Sequence, residues 1–522
     1  FREFWIDGID YRLNGVVFKL RGLICPPTGA SRDEIRKYYL RGRECNFSLV
    51  RFHMQPRSRY YYDIADEVGM CVKDESAFYC ASYTYALADE RLWRNLAAHV
   101  RGMVLRSRNH PSLCIWSVEN EILHCGGIRD EKAGARIFEL GRIIAELDPS
   151  RPIEYEGDGD LEGRAQTVNI HYPREFGCHN HNLWPNDAYW LGKEGNDRWP
   201  QDLVWQRDKP LIMGEFCYYP YSRPPGGVSV FTGDRAYRSK KEEQDAHVQG
   251  LKFLCDASRR LGVAGLNPWV GDWRYSIECL KPIAVTFREY DAHFFAGETV
   301  SRSLAVHNDT LQSRRLRLVC AVSLGRKLVA GQEWEVELEP GGMQDVPFSW
   351  RMPDVAERAE LTLDVRLLAG DETVFHEKRG FSAFPRRALS VPPGLRVALY
   401  DPAGEAAKAL DAVGLSAELV TDLSLLDSST CDLLLIGKGA VAAGGFGAHV
   451  QGIRGFVADG GKAFCFEQEG HPDWLPIAVQ MDAGHAATMA FIRSGSHPLL
   501  AGLAPDDLRF WRGDHLVSPP TS

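Results

Sequence analysis

Asn109-His110-Pro111-Ser112-Leu113-Cys114-Ile115-Trp116-Ser117-Val118-Glu119-Asn120-Glu121 reads as a short buried strand that stops abruptly in acid. An apolar run ending in a carboxylate is costly unless the acid reaches the open end of a sheet. There it meets a pocket, and partial burial raises its pKa. Lys209-Pro210-Leu211-Ile212-Met213-Gly214-Glu215 repeats the pattern. Two strands, each delivering a glutamate at its C-terminal end, predict a (β/α)₈ barrel with paired-carboxylate chemistry at its mouth.

Working outward from these two, eight strand-like runs alternate with helical patterns. They are 18–24, 47–52, 70–74, 113–118, 152–156, 167–170, 210–213 and 263–267. Helix 89–106 sets Leu92, Leu96, Val100 and Met103 on one face, with Asp89 as N-cap. Helix 240–261 begins charged and stops at Gly262, a C-cap. Eight such units over residues 1–285 have the size and rhythm of a (β/α)₈ barrel.

Residues 286–390 change character. Short alternating runs at 301–306, 316–322, 334–338 and 361–367 are separated by turn residues such as Asn308-Asp309 and Pro340-Gly341-Gly342. This predicts a small β-sandwich, immunoglobulin-like. Val391-Pro392-Pro393-Gly394 marks a linker. Residues 391–522 then alternate strand, helix and Gly-rich turn, which predicts an open α/β domain. The chain opens on Phe1 and closes at Ser522 in loop-like sequence. Both ends therefore read as interior to a longer protein, and any signal peptide would have been lost with what preceded Phe1.

Bulk composition narrows the function. The 522 residues carry a net charge of −9, which argues against a nucleic-acid partner. No apolar run is long enough for a membrane span. Thirteen cysteines without a CxxC pair read as free thiols, favouring a reducing, cytoplasmic compartment. No cofactor is expected. Residues His171, Cys178, His179 and His181 fit no zinc spacing, so no metal is expected either. The sequence leaves oligomeric state open, a homo-oligomer included.

Several motifs together resemble the catalytic barrel of glycoside hydrolase family 2, the family of β-galactosidases, β-glucuronidases and β-mannosidases. They are Arg2-Glu3-Phe4 with Leu13-Asn14-Gly15 and Leu20-Arg21-Gly22, then Arg51-Phe52-His53-Met54-Gln55-Pro56. Tyr62-Asp63-Ile64-Ala65-Asp66-Glu67-Val68-Gly69-Met70 follows, and then His110-Pro111-Ser112 with Trp116-Ser117 and Asn120-Glu121. The likeness begins at the barrel, without the N-terminal jelly-roll and sandwich that family members usually carry. The last block resembles glutamine-amidotransferase-like α/β domains. Its Cys465 lies between Phe464 and Phe466 rather than in a Gly-flanked elbow, so that domain is expected to be non-catalytic.

The resemblance implies a retaining exo-β-glycosidase acting on an oligosaccharide or glycoside, a β-galactosidase first. A β-mannosidase, a β-glucuronidase or another family 2 enzyme remains open, as does a carbohydrate-binding protein without catalysis. Glu121 matches the general acid/base and Glu215 the nucleophile. Asn120 matches the asparagine on the sugar 2-hydroxyl, and Arg51 the arginine beside the nucleophile. His171 and Tyr172 match positions facing sugar and nucleophile. Trp269 is a stacking platform candidate, and His53 and Glu75 candidate hydroxyl ligands. The aromatic stretch 177–205 suits sugar stacking or its own packing. Pro224-Pro225-Gly226-Gly227 suits a lip or an ordinary loop.

The signature departs from the family at Glu119, where glycine is common. On a regular strand Glu119 and Glu121 share a face. Glu119 is therefore expected to tune Glu121 by raising its pKa, unless an arginine neutralises it.

Overall fold

The computed structural model describes residues 2–79, 85–171, 205–217, 232–269, 276–386, 391–468 and 497–509, with Leu475 and Ile492. Tyr172, most of the aromatic stretch and the Pro224–Gly227 segment lie outside these residues.

A three-stranded sheet comes first: β1 (Phe4–Asp7), β2 (Asp10–Leu13) and β3 (Val16–Val17). The barrel follows, with β4 (Leu20–Ile24), β5 (Leu49–Phe52), β6 (Cys71–Glu75), β7 (Leu113–Asn120), β8 (Ile153–Glu156), β9 (Val168–His171), β10 (Leu211–Phe216) and β11 (Gly265–Pro268). All eight expected strands are present, most within two residues of the expected ends. They pair in parallel in the order β8-β7-β6-β5-β4-β11-β10-β9. The ring nearly closes where Gly159 bridges Asn169.

Helices α1 (Arg32–Glu44), α2 (Arg59–Val68), α3 (Glu90–Ser107), α4 (Ala133–Leu147) and α5 (Lys240–Leu261) alternate with these strands. Their ends follow local chemistry. Ser31 and Glu34 form a capping box on α1. Asp89 accepts the Arg91 N–H at the start of α3. Gly262 closes α5 in the left-handed conformation, as expected.

The opening three-stranded sheet, which the pattern 1–17 does not announce, closes the N-terminal end of the barrel. Phe4, Tyr11 and Phe18 cluster with Leu20, Leu49, Cys71, Ile115, Ile212 and Ala264 from the barrel interior. Tyr11 also donates its hydroxyl to Glu154, which ties this sheet to the charged layer above it.

Two antiparallel sheets follow. One joins β12 (Ile283–Phe287), β14 (Thr299–Asn308) and β17 (Gly342–Arg351); the other joins β13 (His293–Phe295), β19 (Glu372–Phe384), β18 (Ala359–Ala369), β15 (Arg314–Leu324) and β16 (Lys327–Leu338). Their alternating burial, as in β17 and β18, is the expected two-period pattern. Barrel and sheets form one compact unit, which residues 497–509 join through Asp507–His293 and Asp506–Arg235.

Residues 384–486 form the second unit, together with 354–358. Its sheet is parallel, with β20 (Val397–Tyr400), β21 (Glu418–Leu419), β22 (Leu433–Ile436) and β23 (Lys462–Cys465) in the order β21-β20-β22-β23. This is the open α/β sheet expected there. Burial pushes the Cys465 thiol up, away from thiolate chemistry. No helix among the described residues is long and apolar enough to cross a membrane.

Candidate active site

Strands of this barrel should alternate inward and outward side chains, yet two of them break step at their C-terminal ends. The register of β7 against β8 shifts between Ser117 and Asn120. Ser117 and Asn120, three residues apart, therefore both reach the interior network, Ser117 through Glu75 and Asn120 through Arg51. The strand ends there, and Glu121 follows with φ +56, a left-handed conformation uncommon outside glycine. Its N–H donates to the Glu156 carbonyl at 2.8 Å. The expected shared face of Glu119 and Glu121 thus does not form.

Glu215 is placed by a second irregularity. The register of β10 shifts between Met213 and Glu215 against β9. Gly214 makes this possible. A Cβ there would stand 2.1 Å from Asn169 Oδ1 and 2.6 Å from Glu156 Oε1.

His171, at the end of β9, stands between the two glutamates. Its Nδ1 lies 2.7 Å from Glu121 Oε1 and 3.7 Å from Glu215 Oε1. One ligand-type atom from each of the three lies within 4.8 Å of the others. Burial works against a charge on His171, but Glu215 and Glu121 outweigh it and raise its pKa to about 10. It is therefore an imidazolium at neutral pH. The same trio is spaced to hold a cation, but a protonated imidazole repels one.

Glu121 is correspondingly depressed. Burial acts to raise it, and the hydrogen bond and charge of His171 overcome that. The expectation of a raised Glu121 is overturned by this neighbour.

Arg51 on β5 is fully buried. Its Nε donates to Glu75 Oε2 at 2.9 Å, its Nη1 to Glu215 Oε1 at 2.7 Å, and its Nη2 to Asn120 Oδ1. Glu75 also accepts from Met54 N at 2.6 Å and Ser117 Oγ at 3.2 Å. It holds Arg51 and the turn after β5, and has little capacity left for a ligand. His53 stands in that turn with Nε2 3.7 Å from Glu215 Oε1. Burial, reinforced by the charges of Arg51 and His171, drives its pKa down to about 2, so it is neutral. Trp269, just after β11, sets its ring edge-on to His53 with centroids 4.7 Å apart.

A charged layer beneath this set was not anticipated from sequence. Lys73 on β6 is 2.9 Å from Glu156 Oε2 and also pairs with Glu154. Glu156 reaches Arg51 and His171, both at 3.5 Å. Burial tends to raise Glu156, but Arg51, Lys73 and His171 hold it well below the usual carboxylate range. Asn169 donates to Glu154 at 3.0 Å and accepts from Gly157 N at 3.2 Å. The available signal was Glu154-Tyr155-Glu156: two acids with a period of two on an otherwise core strand.

Glu119 belongs to a different cluster. Its Oε2 accepts from Ile122 N at 3.1 Å, while Asp158 accepts from Leu123 N at 2.8 Å and His124 N at 3.0 Å. With the Glu121 N–H on Glu156, four successive amides of the turn are fastened. Burial and then the Asp158 charge push Glu119 well above the ordinary range. Burial takes Asp158 to about 6. The strongest influences on Glu121 are its burial, His171, His124 and Arg51. Glu119 accordingly acts on the turn rather than on the Glu121 carboxyl.

Residues 30–254 match the profile described as glycosyl hydrolases family 2, TIM barrel domain. Among solved structures, an exo-chitosanase from Amycolatopsis orientalis aligns at 12% identity with a TM-score of 0.51, over 73% of this chain and 51% of that one. A Bacteroides uniformis β-glucuronidase aligns at 14% identity and TM-score 0.39, over 76% and 49%. A β-galacturonidase from Eisenbergiella tayi aligns at 20% and 0.40, over 52% and 46%. The chain spans about half the length of these structures. Residues 30–254 of this chain thus match the TIM barrel domain of glycosyl hydrolases family 2.

Proposed function

We propose that the chain carries the active centre of a retaining exo-β-glycosidase. The observation that supports it is the spacing of Glu121 and Glu215, whose nearest carboxylate oxygens lie within 4.8 Å at one mouth of the barrel. Double displacement needs carboxyl groups about 5–5.5 Å apart, whereas inversion needs roughly 6.5 Å or more to admit a water. Glu215 attacks the anomeric carbon, with Arg51 holding its carboxylate in place. Glu121 protonates the departing oxygen, then takes the proton from water.

The acid in this reading is a pair. In the free protein the proton resides on His171 and is shared along the 2.7 Å contact to Glu121. Glu121 donates to the leaving group as His171 returns the proton to it. Glycosylation of Glu215 then removes one of the charges that stabilise the imidazolium. Asn120 is the ligand for the 2-hydroxyl, and His53 and Trp269 line the sugar subsite. Tyr172 matches a family position facing sugar and nucleophile on the motif alone.

The first substrate to test is a β-galactoside, with β-mannoside, β-glucuronide and β-glucosaminide beside it. Nitrophenyl glycosides of these sugars assay the reading directly. A 2-deoxy-2-fluoro glycoside of the best substrate should label Glu215, as peptide mass spectrometry would show. Turnover with inverted anomeric product, followed by NMR, sinks the mechanism. Binding of the sugars without any turnover favours a carbohydrate-binding role.

A further inference from the structure

At the N-terminal ends of β4 and β11, opposite the glutamates, a cavity of about 60 Å³ lies between the barrel and the antiparallel sheets. About 10–15 Å³ on this measure holds one water, so there is room for a small polyatomic ion. Its polar lining is Lys19, Arg21, Arg259, His307 and Asp309. Barrel, α5 and β14 all contribute to it.

The charges there do not balance. Lys19 pairs with Asp10 at 2.6 Å, and Arg259 with Asp309 at 3.0 Å. Among the described residues, the Arg21 side chain donates to the Asn46 carbonyl, at 2.7 Å from its Nε, and forms no ion pair. Its Nη1 is enclosed and meets no partner among the described residues, and the same holds for Nε of Arg259. Arg259 is 8% exposed. An enclosed guanidinium N–H without an acceptor is expensive, and a planar fork of N–H donors suits tetrahedral oxyanions.

The surroundings report the same excess. Burial and then the charges of Arg259, Arg260 and Lys19 hold His307 well below its ordinary pKa. Arg21 is lowered by burial; Asp309 opposes that shift and Arg259 adds to it. The two guanidiniums share one carboxylate.

We propose that this cavity binds a tetrahedral oxyanion, phosphate or sulfate, between Arg21 and Arg259. The anion supplies the missing counter-charge where the barrel meets β14 and the turn before β17. Bound there, it stabilises that junction and leaves the glycosidic site untouched.

The test uses the full chain and thermal unfolding, with inorganic phosphate, sulfate and chloride compared at constant ionic strength. Phosphate or sulfate should raise the midpoint saturably at low millimolar concentration, and chloride should not. General exclusion of these ions from protein surfaces also stabilises, but without saturation, so a linear response overturns the proposal. Arg21→Gln should weaken the half-saturating concentration at least about tenfold, the value of one charge-assisted hydrogen bond. The readout is the anion-dependent increment, so a lower starting midpoint does not obscure it. Arg317→Gln, on β15 outside the cavity lining, should keep the full increment. Titration calorimetry of phosphate into the unmodified chain should give one site. No heat, or an unchanged half-saturation in Arg21→Gln, overturns the assignment.

Discussion

His171 Nδ1 lies 2.7 Å from Glu121 Oε1 and 3.7 Å from Glu215 Oε1, so a single imidazolium bridges the two carboxylates. Charge, not only shape, holds the pair together. In the proposed mechanism each glutamate has a separable kinetic signature. Glu121→Gln should lower kcat by roughly 10²–10⁴ for poor leaving groups, the usual worth of a general acid. A dinitrophenyl glycoside, which needs no protonation, should lose far less in its first step. Glu215→Gln should lose turnover of both. Equal losses for both leaving groups in Glu121→Gln would remove Glu121 from the acid role.

The same imidazolium makes stability depend on pH. Its folded pKa of about 10 stands above the 6.5 of the free side chain. Its contribution is therefore complete below pH 6.5 and is lost as pH rises toward 10. The stability gap between the parent chain and His171→Asn should be widest at pH 6 and shrink by pH 10. Chemical denaturation across that range measures it, and a gap that widens with pH contradicts the ion pairing.

Glu119 separates two effects. Glu119→Ala leaves the Ile122 amide without its acceptor, at a cost of about 1–3 kcal/mol, and loosens the turn that carries Glu121. Glu119→Gln keeps an acceptor and, since burial and Asp158 push Glu119 toward its neutral form, it is the conservative exchange. It should preserve kcat and the acidic limb of the pH–rate profile. A shifted limb in Glu119→Gln would mean that Glu119 does tune Glu121.

Gly214→Ala tests the close approach behind Glu215. The new Cβ meets the Asn169 and Glu156 side chains at 2.1 and 2.6 Å, so either those side chains or β10 must shift. Overpacking of this kind typically costs about 1–3 kcal/mol. kcat should fall more than stability alone explains, because Glu215 is the next residue.

Lys73→Met strands Glu154 and Glu156 in the barrel. Breaking a buried pair from one side costs about 3–5 kcal/mol. Adding Glu154→Gln should recover part of that loss. Urea unfolding of the single and double variants gives the coupling, and strictly additive losses would show that the Lys73–Glu154 contact is energetically idle.

Some of this was legible in the chain because burial leaves a one-dimensional trace. Apolar runs bounded by caps and turns mark the eight barrel strands, and Asp89 and Gly262 mark helix ends by their own chemistry. The motif around Asn120-Glu121 and the strand ending in Glu215 could be read as carboxylates at sheet ends. Glu154 and Glu156 could not be singled out so readily, since an acid every second residue also describes a strand with one wet face. The β1–β3 sheet was missed because runs of two to four residues carry too little periodicity.

What the sequence determined by itself was therefore the barrel and the two glutamates at strand ends, set by local pattern, while Arg51 came from the family resemblance. Tertiary structure decided what each acid does. The break in alternation at Asn120 sends Glu119 to the turn amides and Glu121 to His171. A carboxyl's protonation state depends on burial and on charges brought from other strands, and those distances exist only once the barrel is closed.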